Sequence, residues 1–186
     1  MQAFLVSAAV VALAEFGDKT QLLALVLGTR YRRPIPVILG IFVATVFNHA
    51  LAGAVGAWVA RMVGPERLRI FLALSFIAMA VWTLIPDKLG AAKTSTPRLG
   101  IFGSTLVAFF LVEMGDKTQI ATAALAAKYG TLLPVIAGTT LGLLLVDIPT
   151  VLLGDQIARR MPLRAVRITA AAIYLGLGVL LLIQPG

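Results

Sequence analysis

The stretch Glu15-Phe16-Gly17-Asp18-Lys19-Thr20-Gln21 recurs as Glu113-Met114-Gly115-Asp116-Lys117-Thr118-Gln119, with six of the seven positions identical. Both copies lie within stretches apolar enough to cross a membrane. An ionised carboxylate at bilayer depth costs roughly 2.5–3.5 kcal/mol on insertion scales. Two carboxylates and a lysine in each of two membrane helices make a poor scaffold. They point instead to a site for something that crosses the membrane carrying charge.

The rest of the chain fits that reading. Of its 186 residues, 60% are hydrophobic and 13% charged, with a mean hydropathy of +0.98. Soluble domains carry about 25% charged residues, so this is the composition of a polytopic membrane protein. Six apolar segments run roughly over 3–28, 34–60, 70–85, 100–127, 132–158 and 166–184. All should be helical, because a lipid-facing backbone must satisfy its own hydrogen bonds. The first segment lacks the basic start of a secretory signal and carries a motif copy, so it reads as a retained span. With no cysteine there is no disulfide framework to expect.

At an offset of 98 the two halves match well beyond the motif. Tyr31 meets Tyr129, Pro36-Val37-Ile38 meets Pro134-Val135-Ile136, and Gly40 meets Gly138. Gly56 meets Gly154, Ala60-Arg61 meets Ala158-Arg159, and Arg69-Ile70 meets Arg167-Ile168. The expected architecture is therefore an all-α integral membrane protein with six transmembrane helices. Residues 1–85 form one three-helix repeat, 86–99 a linker and 100–186 the second repeat. Three spans per repeat is an odd number, so the copies should be inverted about a pseudo-two-fold axis in the membrane plane.

The formal charge of +8 sits mostly in the joints, where it sets topology and meets anionic headgroups rather than nucleic acid. Joints one, three and five hold Arg30, Arg32, Arg33, Lys88, Lys93, Arg98, Arg159, Arg160, Arg164 and Arg167. Joints two and four hold Arg61, Arg67, Arg69 and Lys128. The positive-inside rule then puts the first set in the cytoplasm and both termini outside it.

On a continuous helix the Glu and Asp of each copy, three apart, share a face, and the lysine four residues after the Glu is close enough to pair with it. Gly17 and Gly115 remove bulk where a helix or ion must come close, and loosen the helix. Thr20, Gln21, Thr118 and Gln119 add neutral oxygens. If the two motif helices cross at the midplane, Glu15, Asp18, Glu113 and Asp116 converge as an all-oxygen set suited to Mn²⁺, Ca²⁺ or Mg²⁺. Carboxylates crowded in low dielectric can also hold protons when no metal is bound, which is the chemical basis of an antiporter. Lys19 and Lys117 would offset part of the negative charge.

Two copies of Glu-x-Gly-Asp-Lys-Thr in spans one and four of a six-span protein resemble the Golgi-type cation/proton exchanger family, which includes bacterial manganese exporters. The resemblance covers essentially the whole chain. It implies that Glu15, Asp18, Glu113 and Asp116 form the cation site, and that Mn²⁺ is exported from the cytoplasm of a bacterial cell. It further implies that Ca²⁺, transported by eukaryotic relatives, is a second candidate cargo. No resident cofactor is expected, since the metal is cargo and H⁺ the counter-ion.

Asp147, near the middle of span five, is a candidate fifth carboxylate, lysine partner or proton relay, and Pro149 after it should kink that helix. Its repeat mate His49 reads first as a hydrogen-bonded packing residue. Gly53, Gly56, Gly138 and Gly142 read as helix-packing positions, and Trp58 and Trp82 as interface anchors. The leading expectation is a secondary active transporter, not an enzyme, working by alternating access. A passive divalent-cation channel is the alternative; an intramembrane aspartyl protease leaves the shared Glu and Lys unexplained.

Overall fold

The computed structural model describes residues 1–85, 99–154 and 163–183. The linker 86–98, the end of span five through Ala158, and Gln184 lie outside the described residues, as do Lys88, Lys93, Arg98, Arg159 and Arg160. The described residues are helical almost throughout. Eight helices run in the order α1 (Gln2–Glu15), α2 (Lys19–Tyr31), α3 (Pro34–Met62), α4 (Pro65–Thr83), α5 (Gly100–Glu113), α6 (Lys117–Tyr129), α7 (Leu132–Leu153) and α8 (Leu163–Ile183).

Among the described residues three helices, Pro34–Met62, Leu132–Leu153 and Arg164–Ile183, are by themselves long and apolar enough to cross a membrane. Their outer faces are apolar as well. Along α3, Leu39, Phe42, Phe47, Leu51, Val55 and Trp58 are exposed, an apolar surface far larger than a water-soluble monomer tolerates. At 29 residues, α3 is about 43 Å long at 1.5 Å per residue, more than a hydrocarbon core of ~30 Å requires.

The expected first and fourth spans are each broken in two, and the motif is the break. Glu15 ends α1 and Lys19 begins α2; Glu113 ends α5 and Lys117 begins α6. The expectation of one continuous helix, with the lysine beside its own glutamate, is therefore wrong. The cause is glycine. Gly17 and Gly115 both sit at φ +76°, a left-handed conformation that ends an α-helix and costs a side-chain-bearing residue about 1–2 kcal/mol. The flanking residues repeat closely: Phe16 and Met114 have φ/ψ of −62/117° and −61/121°, and Asp18 and Asp116 have −82/168° and −83/168°.

The next joint repeats too. Arg32 caps α2 with a left-handed φ of 50° and its N–H on the Gly28 carbonyl, while its mate Gly130 caps α6 at φ 64° with its N–H on Ala126. Helix starts follow the proline rule, with Pro34 opening α3 and Pro65 opening α4, where the missing N–H costs nothing.

Packing is reciprocal between the halves. Helix α1 lies against α7, and its mate α5 lies against α3. Glycine permits the close crossings. A Cβ on Gly40 would meet Thr105 Cβ at 2.8 Å and the Phe102 carbonyl at 2.9 Å; one on its mate Gly138 would meet Ser7 and Phe4, the mates of those residues. A Cβ on Gly142 would strike the Ala8 carbonyl, and one on Gly56 the Ala123 carbonyl. The packing role read for Gly53, Gly56, Gly138 and Gly142 holds, and Gly40 shares it. Between α4 and α8 the mates Phe76 and Tyr174 stack on each other with ring centroids 6.2 Å apart.

Candidate functional site

The two breaks face each other inside the bundle. Glu15, Asp18, Glu113 and Asp116 are all buried, although every one sits at a point where the chain leaves helical geometry. Each break is held open by its own glutamine. The Gln21 side-chain carbonyl accepts the Gly17 N–H at 2.7 Å, and that of Gln119 accepts the Gly115 N–H at 2.6 Å. These donors have lost their intrahelical partners, so the motif's last residue satisfies what its glycine frees.

The lysines cross over. Lys19 Nζ lies 3.3 Å from Asp116 Oδ1, and Lys117 Nζ 2.5 Å from Asp18 Oδ1. Neither pairs with the glutamate of its own copy as the helical spacing suggested. With the helix broken between them, Glu15 and Lys19 no longer share a face, and the ammonium reaches the opposite copy instead. The pairs differ in setting: the Lys19 side chain is 26% exposed and the Lys117 side chain 4%.

The glutamates meet different neighbours. Glu113 lies among polar side chains of α3, although its Oε1 makes no hydrogen bond among the described residues. His49 Nε2 stands 3.0 Å from Oε1, while Asn48 Nδ2 at 3.3 Å and Thr45 Oγ1 at 3.4 Å donate to Oε2. Gln119 in turn donates to Asn48 Oδ1 at 3.4 Å. Glu15 accepts from the Thr20 hydroxyl, which also lies 3.2 Å from Asp18 Oδ2, but its Oε2 has no hydrogen-bond partner among the described residues. Thr118, the mate of Thr20, likewise has a buried hydroxyl with no hydrogen-bond partner among the described residues. Gln21 donates to Thr150 Oγ1 at 3.1 Å.

Asp147 is fully buried, with neither carboxylate oxygen hydrogen-bonded among the described residues. It lies within electrostatic reach of Glu15, Glu113 and Asp18, so the structure brings it to the motif residues. Tyr174 on α8 lies within electrostatic reach of Asp116, Glu15 and Asp18, and its buried hydroxyl has no hydrogen-bond partner among the described residues. Arg167 Nη2 donates to the Gly17 carbonyl at 3.3 Å, covering the first break, whereas Gly115 is exposed.

Thr45, Asn48, Thr150, Arg167 and Tyr174 were missed as site residues. A signal existed at three of them, since their repeat mates are the apolar Leu143, Val146 and Ala52. A polar residue inside a span, where the other copy is apolar, marks a departure from the repeat. Arg167 was counted only as a topology charge.

Chemically the cluster offers five carboxylates, several hydroxyls and amides, and two ammonium groups. Among the described residues no three His, Cys, Asp or Glu side chains converge as a ready-made metal cage. Nor do the aspartates form a protease-type dyad, which needs two carboxylates sharing a proton; here each faces a lysine.

Comparison with known proteins agrees with this chemistry. The family model described as divalent cation/proton antiporter GDT1 matches residues 3–91 and 101–185. A protein of Vibrio cholerae serotype O1 (strain ATCC 39541 / Classical Ogawa 395 / O395), named "Putative manganese exporter", is 50% identical over 176 residues, covering 94% of this chain and 88% of the relative. No solved structure matches the chain.

Proposed function

The chain belongs to the divalent cation/proton antiporter GDT1 family, and from that premise we propose that it exports Mn²⁺ from a bacterial cytoplasm in exchange for protons. Ca²⁺ is the second candidate cargo. Glu15, Asp18, Glu113 and Asp116 form the cation site, with Asp147 as a fifth carboxylate and Thr20, Gln21, Thr118 and Gln119 as neutral oxygen donors or supports. An all-oxygen, carboxylate-rich set suits a hard divalent ion. The same carboxylates carry the exchanged protons.

One observation carries the reading: two helix breaks with buried carboxylates, written by nearly the same seven residues, are joined by reciprocal ion pairs between copies. Contacts in which residue i meets j of the other copy, and j meets i, are what a two-fold axis generates. The stacked mates Phe76 and Tyr174 and the mated crossings at Gly40 and Gly138 support the same relation. Six spans arranged as two inverted repeats, with both termini outside the cytoplasm, place this axis in the membrane plane. The repeats then rock about a midplane site, exposing it to each side in turn. Broken helices suit this role, since irregular backbone at membrane depth is tolerated where it lines a site.

A cation that enters draws the carboxylates together, and a proton gradient releases it. Proteoliposomes test this. An imposed pH gradient should drive Mn²⁺ uphill, and the movement should depend on Asp18 and Asp116. Downhill Mn²⁺ leakage indifferent to the gradient would make the protein a channel.

A further inference from the structure

We propose that Lys19 and Lys117 are tethered counter-cations of the transport site: each ammonium holds the aspartate of the opposite copy, and the incoming divalent cation must displace it. This rests on the antiporter reading above and assigns the lysines a role in it. Three observations carry it. First, the ammonium groups contact Asp116 and Asp18 directly, at 3.3 and 2.5 Å, so a metal cannot take those oxygens while the lysines remain. Second, the charge balances: two ammonium groups leave two aspartates as one divalent ion arrives. Each aspartate then has a cationic partner both before and after the metal binds, so neither carboxylate is left buried and uncompensated.

Third, both pairs join one repeat to the other, Lys19 on α2 to Asp116 before α6 and Lys117 on α6 to Asp18 before α2. Displacing them removes two ties between the halves at the moment cargo binds. Binding is thereby coupled to freedom of the repeats to move. A lysine suits this better than an arginine, being a compact point charge on a flexible stem with no bidentate fork to hold the carboxylate. The two sites are unequal. Lys19 is partly exposed and reaches its aspartate from farther away, so it yields first; Lys117 is buried, closer, and the stronger competitor.

A lysine that only braces the fold would lose stability when changed and would leave cation affinity equal or weaker. A tethered competitor predicts the opposite sign. In nanodiscs, with Mn²⁺ binding followed by electron paramagnetic resonance, Lys117→Gln should tighten binding about tenfold and Lys19→Gln about threefold. Lys117→Arg, which keeps a cation at the aspartate and adds a bidentate fork, should show no tightening and bind Mn²⁺ as weakly as the wild type or more weakly. Unchanged or weaker Mn²⁺ binding in both glutamine variants overturns the proposal. Should Lys117→Gln fail to fold, Lys19→Gln and one measurement on the wild type still decide. Acylation of Lys19 by a water-soluble amine reagent, read by mass spectrometry, should speed up several-fold when Mn²⁺ is added; unchanged or slower labelling overturns the displacement. A wild type that neither binds nor moves Mn²⁺ sinks the antiporter reading itself. Normal wild-type transport without tightening in the variants sinks only this proposal.

Discussion

Glu15 and Glu113 end their helices with matching backbone geometry and motif glutamines, yet they face different chemistry. Around Glu113 the α3 helix supplies Thr45 and Asn48, which donate to Oε2, and His49, whose Nε2 stands 3.0 Å from Oε1 without hydrogen-bond geometry. Around Glu15 the corresponding α7 helix supplies Leu143, Val146 and Asp147, so an amide and an imidazole give way to an apolar residue and a carboxylate. Glu15 keeps one oxygen without a partner, and Asp147 keeps two, among the described residues. The duplicated motif fixes where the carboxylates stand, while the unduplicated α3 and α7 faces decide what each can bind. The Glu15 side is the half with oxygens to offer a cation. The Glu113 side is the half with more donors around its carboxylate.

The strongest way to break this comparison is to remove one aspartate at a time. Asp18→Asn and Asp116→Asn should each abolish proton-driven Mn²⁺ flux in proteoliposomes. They should differ in stability: Asp18→Asn takes the carboxylate from a buried ammonium, a loss of about 3–5 kcal/mol for a buried pair, whereas Lys19 can turn toward water in Asp116→Asn. Equal melting temperatures would mean that the two pairs are not in unequal settings.

The glutamate neighbours come next. Asp147→Asn should weaken Mn²⁺ binding about ten- to a hundredfold, since it removes an unsatisfied carboxylate from the set. His49→Ala should leave it within about threefold of the wild type, because the imidazole faces Glu113 rather than the open carboxylate oxygens of Glu15 and Asp147. Isothermal titration with Mn²⁺ would show the order, and a reversed ranking would move the cation to the Glu113 half.

Smaller effects probe the breaks. Gly17→Ala and Gly115→Ala should each cost about 1–2 kcal/mol at φ +76°, read as a fall in melting temperature. The loss should be greater at Gly17, which is buried under Arg167, than at exposed Gly115, around which an added Cβ meets nothing within 4 Å. The smallest change lies outside the site. Arg32→Gly should stabilise the protein by about 0.5–1 kcal/mol, because it gives the left-handed cap of α2 the residue that α6 already has at Gly130. No gain in melting temperature would show that Arg32 makes up the difference by other contacts.

Much of this was legible in the sequence, and the exceptions have a common cause. The repeat offset foretold the mated crossings at Gly40 and Gly138, and hydropathy foretold α3, α7 and α8. The motif residues were found as a group because intramembrane charge is rare. What periodicity could not give was the break. A three- and four-residue spacing implies shared helical faces only while the helix continues, and Gly17 stops it. The lysines were therefore assigned to their own glutamates, although chain geometry sends them across. Thr45, Asn48 and Thr150 were hidden for a different reason: a repeat marks what the halves share, and these residues lie where the halves differ. Asp147 was visible because a carboxylate stands out in an apolar span; Tyr174 was not, because an aromatic ring there reads as packing.

The central claim is that one composite site, made from both motif copies, exchanges a divalent cation for protons. Proteoliposomes holding a Mn²⁺ indicator, with equal Mn²⁺ on both sides and an outward-directed proton gradient imposed, test it directly, with wild type and Asp116→Asn compared in parallel. The account predicts uphill Mn²⁺ entry in the wild type, collapse when the proton gradient is dissipated, and none in the variant. Gradient-independent entry in the wild type, or undiminished uphill entry in Asp116→Asn, would contradict it.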